Sequence, residues 1–315
     1  MSSEIDSYSS FTSVRTNLYK YGGPILMVVG TVSCILSLIV FTKNNLRKNP
    51  CAIYLVACNI GNLLQIYTTM LFGILSDGYN IDPNSYNLNF CHFLYYIQLL
   101  STVLSPSYLI LASIDRILIT SPNALTRQRS TLRLTYISII SVTLFWLLAH
   151  IHALFLTYIS EPMQNLTVCA LQPGFYVLFI GYYTISIQDI LIPLLMIILG
   201  VWTVRNIRKR RQVNLATVNT AVVAVRPTRS KDRQLIQILI VDISIYIIFN
   251  AMLPPALIYL SILQTRSYTF AELQFGRLLL DFAVFSSYIP FCVSFYTNFL
   301  VSKTFRYEVK NIIKC

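Results

Sequence analysis

Charge is scarce in this chain. Only 11% of its 315 residues are Asp, Glu, Lys or Arg, against about 25% in a soluble domain. That excludes an ordinary water-soluble globule of this length. Acids are scarcer still, 12 against 24 bases, and no Lys lies between Lys231 and Lys303. The segment Met1 to Ser13 lacks the basic, apolar, small-residue order of a secretory signal. Insertion is therefore expected to be directed by the first apolar run. No internal repeat or low-complexity tract argues for a solenoid. The apolar runs hold no nucleophile–base set and no phosphate loop, so no enzyme activity and no cofactor are expected. His150 and His152 are two residues apart and point to different sides of a helix, so they do not form a simple metal pair.

Apolar residues are abundant, at 55% of the chain. They fall into seven runs, near Tyr21–Thr42, Pro50–Leu75, Cys91–Ile114, Leu134–Ile159, Gly174–Val204, Gln234–Thr265 and Leu278–Ser302. Each exceeds the ~20 residues that a helix needs to cross about 30 Å of hydrocarbon. The runs are continuous rather than alternating, which excludes barrel strands. The expected fold is an all-α membrane protein: a seven-transmembrane helix bundle followed by a short amphipathic eighth helix. In the last segment, Phe305, Val309 and Ile312 share one helical face. The organisation is a polar N-terminal segment over 1–20, the bundle over 21–302 and the amphipathic helix with the C-terminus over 303–315.

The few charges are segregated. Lys43, Arg47 and Lys48 follow the first run, and Arg116, Arg127, Arg129 and Arg133 follow the third. The basic cluster from Arg205 to Arg233 follows the fifth run, and Lys303, Arg306, Lys310 and Lys314 follow the seventh. Together these are 20 of the 24 bases, leaving Arg15, Lys20, Arg266 and Arg277 for the other side. By the positive-inside rule the N-terminus is outside and the C-terminus inside. The net charge of +12 then sets topology and attracts anionic lipid of the bilayer, and gives no reason to expect a nucleic-acid partner. Asn165-Leu166-Thr167 is a glycosylation acceptor in an outer segment. Cys315 is a candidate for palmitoylation. Cys91 and Cys169 both face the oxidising side. On residues alone they are either a bridge or two unrelated thiols.

The acids inside the runs stand out because lipid penalises them, by roughly 2.5–3.5 kcal/mol for a charge at the bilayer centre. Asp115-Arg116 closes the third run, where the Arg can meet water, a neighbouring helix or a partner. Asp189 and Asp281 lie in the outer halves of the fifth and seventh runs and are candidates for binding a cationic ligand group. For Asp281 the structural alternative is an i,i+4 pair with Arg277. Gln98, Gln188 and Asn250 are further candidate pocket groups. Asp242, in the inner half of the sixth run, is a candidate latch for Arg116, with Asp232 as the competing acid and the Asp115–Arg116 neighbour pair as the simplest arrangement. Pro254-Pro255 predicts a kink in the sixth run.

In sequence order on seven spans, several residues resemble the rhodopsin-like (class A) family of G-protein-coupled receptors. Asp115-Arg116-Ile117 stands where the family has Asp/Glu-Arg-Tyr. Trp146, Pro193, Phe249 with Pro255, and Phe305-Arg306 stand at its fourth-, fifth-, sixth- and eighth-helix positions. Cys91 precedes Arg116 by the 25 residues that separate the family's third-helix Cys from its Arg, which implies a Cys91–Cys169 disulfide. The resemblance implies a plasma-membrane receptor whose partners are an extracellular peptide or small-molecule ligand and a heterotrimeric G protein. Asp115, Arg116, Asp242 and Pro255 would then carry coupling and activation. Within the family the loosest likeness is to invertebrate neuropeptide receptors of the RFamide type, which points to a short neuropeptide.

The chain also departs from the family. Cys34 and Asn62 replace its first-helix Asn and second-helix Asp, and Leu253 replaces its sixth-helix Trp. Ser294-Phe295 and Asn298 replace its seventh-helix Asn-Pro and Tyr, and Val201 replaces a fifth-helix Tyr. The missing helix-seven Lys excludes a retinal-linked opsin, and Gln98 at the amine-binding Asp position argues against a biogenic amine. The alternatives are a seven-helix transporter or channel, for which no inverted repeat is visible, and a non-signalling receptor of the same fold.

Overall fold

The computed structural model describes residues 11–83, 87–121, 123–163, 166–218, 230–265 and 268–313. Seven helices among them are long and apolar enough to cross a membrane: α1 (Phe11–Phe41), α2 (Pro50–Gly78), α3 (Leu88–Thr120), α4 (Leu132–Ala149), α5 (Phe175–Lys209), α6 (Gln234–Leu263) and α7 (Ala271–Val301). The chain is thus a multi-pass helical bundle. A further helix, α8 (Lys303–Ile313), follows.

Four of the helices begin where the sequence supplies a capping side chain. Asn49 caps α2, its side chain accepting from the Cys51 amide, with Pro50 at the first helical position. Asn87 caps α3 and Thr131 caps α4. Thr269 and Glu272 form a reciprocal capping box at the head of α7.

Helix α3 is the central one, and α4 and α5 are the most peripheral. The main core runs from Phe41 and Leu55 through Val103, Leu104 and Ala112 to Met196, Leu239 and Phe291. Large apolar side chains face outward, among them Val28 and Ile35 on α1, Ile140 and Leu148 on α4, and Ile198 and Trp202 on α5. In water such a belt would be an aggregation surface, but against lipid tails it is the expected exterior. Without a hydrophobic drive between helices, small residues and polar bridges hold them together. A side chain at Gly61 would lie 3.1 Å from the Ser105 backbone nitrogen, so α2 and α3 need a glycine there. Trp146 on α4 donates to the Ser107 hydroxyl on α3 at 2.9 Å, and the Phe295 amide on α7 donates to the Ser33 hydroxyl on α1 at 3.0 Å.

Proline interrupts α6 as expected and α5 less obviously, whereas α3 runs through Pro106 unbroken. Helix α6 is interrupted at Ala251-Met252, just before Pro254-Pro255, because neither proline offers an N–H to the turn behind it. The Ser286 hydroxyl of α7 donates to the Phe249 carbonyl at 3.0 Å, satisfying a backbone group at this break. In α5, Pro193 has no N–H for the Asp189 carbonyl. There the chain widens into a π-helix over Thr184–Leu191, with the Ile192 amide bonded five residues back to Ile187. Further π segments occupy Leu18–Gly22 in α1 and Ile66–Met70 and Ile74–Gly78 in α2.

Two departures from the sequence expectation are informative. The fourth helix ends at Ala149, not Ile159. After a short turn, Thr157–Met163 forms strand β1, antiparallel to β2 (Leu166–Leu171), with Ile159 opposite Cys169. The described fold is therefore not purely helical. At the other end, the described residues are helical from Phe11 on, within the N-terminal segment expected to be polar and extracellular.

Candidate functional site

The basic end of the bundle is organised around Arg116, whose side chain is fully buried although it is the most polar type present. Its Nε and Nη2 donate to one oxygen of Asp115 at 3.1 and 2.5 Å. Nη2 also donates to the Asn49 side-chain oxygen at 3.0 Å. That same oxygen caps α2. The second oxygen of Asp115 accepts a short hydrogen bond from the Ser130 hydroxyl. Ser130 lies just after a short helix, Ala124–Gln128, in the segment leading to α4. One ion pair therefore ties together α3, the start of α2 and the connection to α4. Desolvating such a pair is costly unless its remaining lone pairs and protons find partners, and Asn49 and Ser130 supply two of them.

Among the described residues Asp115, not Asp242, is the carboxylate paired with Arg116. Asp242 faces Asn298 of α7. Both polar atoms of the Asn298 amide are buried with no hydrogen bond of good geometry. Nearby Ser294 donates to Asn59 of α2 at 3.3 Å. Asn62 of α2 accepts from the Ser105 hydroxyl of α3. The side chain of Asp232, the competing latch, lies outside the described residues.

At the opposite end, Cys91 at the head of α3 is bridged to Cys169 of β2, with Cα atoms 5.7 Å apart. The hairpin is thereby fastened to the central helix. His92 adds a second tie, its Nε2 donating to the Thr157 carbonyl of β1 at 3.0 Å. Just beyond α4, His150 is buried between two partners, the Trp146 carbonyl at 2.9 Å and the Tyr183 hydroxyl at 2.8 Å. A carbonyl only accepts, so Nδ1 carries the proton and Nε2 accepts from Tyr183. Burial lowers the affinity of His150 for a second proton, and neighbouring His152 lowers it further.

The candidate ligand groups fall into two sets. Asp189 and Gln188 lie in the π segment of α5. The Asp189 Oδ2 and Gln188 Nε2 atoms are buried with no hydrogen bond of good geometry among the described residues. Gln98 and Asn250 are engaged within the protein. Gln98 donates to the Thr68 carbonyl of α2 at 2.9 Å. Asn250 donates to the Tyr246 carbonyl at 2.9 Å, one turn behind the α6 break.

Asp281 is also engaged, by a residue that sequence reasoning did not single out. Arg15, in the first turns of α1, lies 2.6 Å from Asp77 of α2 and 3.4 Å from Asp281 of α7. Arg277 adds positive charge nearby, but Arg15 makes the ion pair. The only sequence signal was that Arg15 is a rare base on the weakly charged side. Its partners are 62 and 266 positions away, beyond the reach of local pattern. Asn165 and Cys315 lie outside the described residues.

Among the described residues no group of three or more His, Cys, Asp or Glu is placed to hold a metal ion. No protein-family model matches this chain, and no curated protein matches its sequence.

Proposed function

We propose that this chain is a G-protein-coupled receptor of the rhodopsin-like type. It sits in the plasma membrane with its N-terminus outside, binds an extracellular ligand, for preference a short peptide, and activates a heterotrimeric G protein. The buried Asp115–Arg116 pair carries the reading. A guanidinium with no exposed surface, at the basic end of a bundle's central helix, is costly for a scaffold and useful for a switch. It is held by partners on separate segments, so it changes state when those segments part. The disulfide at the other end of the same helix supports the reading, because it anchors an outer cover to the element that carries the switch.

Ligand binding at Asp189 and Gln188 favours a state in which the inner half of α6 swings about the break before Pro254-Pro255. A cationic peptide group suits the Asp189 carboxylate, whose Oδ2 makes no hydrogen bond among the described residues. Arg116 then exchanges its internal partners for the G protein. Ligand and G protein strengthen each other's binding by the same factor. Helix α8 lies along the inner leaflet with Phe305 and Val309 turned into the bundle, where both pack against the core.

The test is nucleotide exchange on a promiscuous G protein in cells expressing the full chain, screened with a short-peptide library. Arg116→Ala at matched surface expression is the control. A peptide response that Arg116→Ala abolishes supports the reading. A response that survives Arg116→Ala removes the proposed role of the pair. Silence across the library at normal surface expression overturns the peptide assignment.

A further inference from the structure

Between α5 and α6, in the half nearer the basic end, an open cleft of about 410 Å³ runs along the bundle's outer surface. That volume falls within the ~300–1,000 Å³ range of small-molecule sites. Gly200 and Val204 of α5 and Ile240 and Ile247 of α6 supply apolar walls. The cleft exists because a side chain is missing. A Cβ placed on Gly200 would meet nothing within 4 Å. The one wall hydroxyl, on Ser244, donates to the Ile240 carbonyl of its own helix at 2.8 Å and leaves the lining apolar. The cleft closes at Arg205 and Arg208. These lie three apart on one helical face, are exposed, and make no ion pair among the described residues.

We propose that this cleft binds one anionic phospholipid, with an acyl chain along Gly200 and the phosphate at Arg205 and Arg208. An apolar slot ending in two unpaired guanidiniums matches a lipid that is apolar along its length and negative at its head. Arginine is the better phosphate ligand of the two basic residues because its fork can engage two oxygens. The face does not suit a second copy of this chain, since a symmetric contact would bring the same cations together. The site requires only that the bundle sit in a membrane, so it stands or falls separately from receptor signalling.

The experiment is native mass spectrometry of the purified full chain titrated with dioleoyl phosphatidylserine, with dioleoyl phosphatidylcholine for comparison. The unmodified chain is expected to retain one phosphatidylserine preferentially. Arg205→Gln with Arg208→Gln is expected to weaken that adduct roughly 30-fold, the factor that two such charges carry near a membrane surface. Arg129→Gln with Arg133→Gln, which removes two basic charges elsewhere, leaves it unchanged. Gly200→Phe fills the slot and loses the adduct with both arginines intact, and Gly200→Leu serves if the larger variant fails to fold. Soluble glycerophosphoserine does not compete. Three results would overturn the proposal: equal weakening by the Arg129/Arg133 control, an adduct retained when the slot is filled, or full competition by the soluble headgroup.

Discussion

At the scale of single residues, what could be read from the sequence was whatever violates the solvent. An Asp-Arg pair inside an apolar run is visible without a structure because lipid makes it expensive. Its partners were not visible, since Asn49 looks like a helix cap and Ser130 like a loop residue. Arg15 shows the same limit, because nothing local indicates that one guanidinium will meet carboxylates from two other helices. His150 was dismissed as a metal ligand, yet the structure gives it a defined role as a buried bridge from α4 to α5 through Tyr183. That bridge needs the neutral ring, and burial holds the folded-state pKa below the ordinary 6.5. The unfolded chain therefore binds the proton more readily than the folded one. The stability that His150 contributes is complete above about pH 6.5 and is lost as the pH falls from there toward the lowered folded value. Thermal melts from pH 7.5 to 5 should show this decline, and His150→Gln should flatten it. An unchanged slope in the variant would assign the decline to other groups.

At the scale of elements, the seven helices were legible because length and continuous apolarity are sufficient in a membrane. The hairpin was not. Thr157, Tyr158 and Ile159 extend the apolar run of α4 without a gap, and hydropathy does not distinguish a strand from one more helical turn. Their β-branched and aromatic character is the signal that was present. The break in α6 was legible from its prolines, and Pro24 follows the π segment of α1 as Pro193 follows that of α5, whereas the π segments of α2 have no proline to announce them. The hairpin also gives the disulfide its purpose. Two strands alone are marginal in water, and the bridge closes a segment of 78 residues. Cys169→Ser should cost about 2–4 kcal/mol, read as a lower melting temperature of the purified protein. It should also expose the β1–β2 amides to hydrogen exchange while the amides of α3 stay protected. Equal loss of protection in α3 would show that the bridge supports the bundle rather than the hairpin.

At the scale of the whole molecule, orientation is a property of charge distribution rather than of packing. The bundle would pack equally well either way up. By the positive-inside rule the bases are expected to make the choice, which would put the Asn165 acceptor outside and Arg116 inside. Expressed in cells, the chain should carry an endoglycosidase-sensitive glycan that Asn165→Gln removes, with the Arg127–Arg133 segment protected from protease added outside intact cells. A segment cut from outside would reverse the topology. Placement of the cleft and of the Arg15 ion pairs was beyond sequence reasoning, because each depends on residues brought together from different helices. The π segment of α5 joins these scales. In the manner of a crystal dislocation, it stores one surplus residue in an otherwise regular lattice. Annealing it out would turn everything beyond it by about 100°, but Pro193 pins it from the basic side. Helix α5 is therefore a shaft with its slack locked at one place, and whatever grips Asp189 grips the slack.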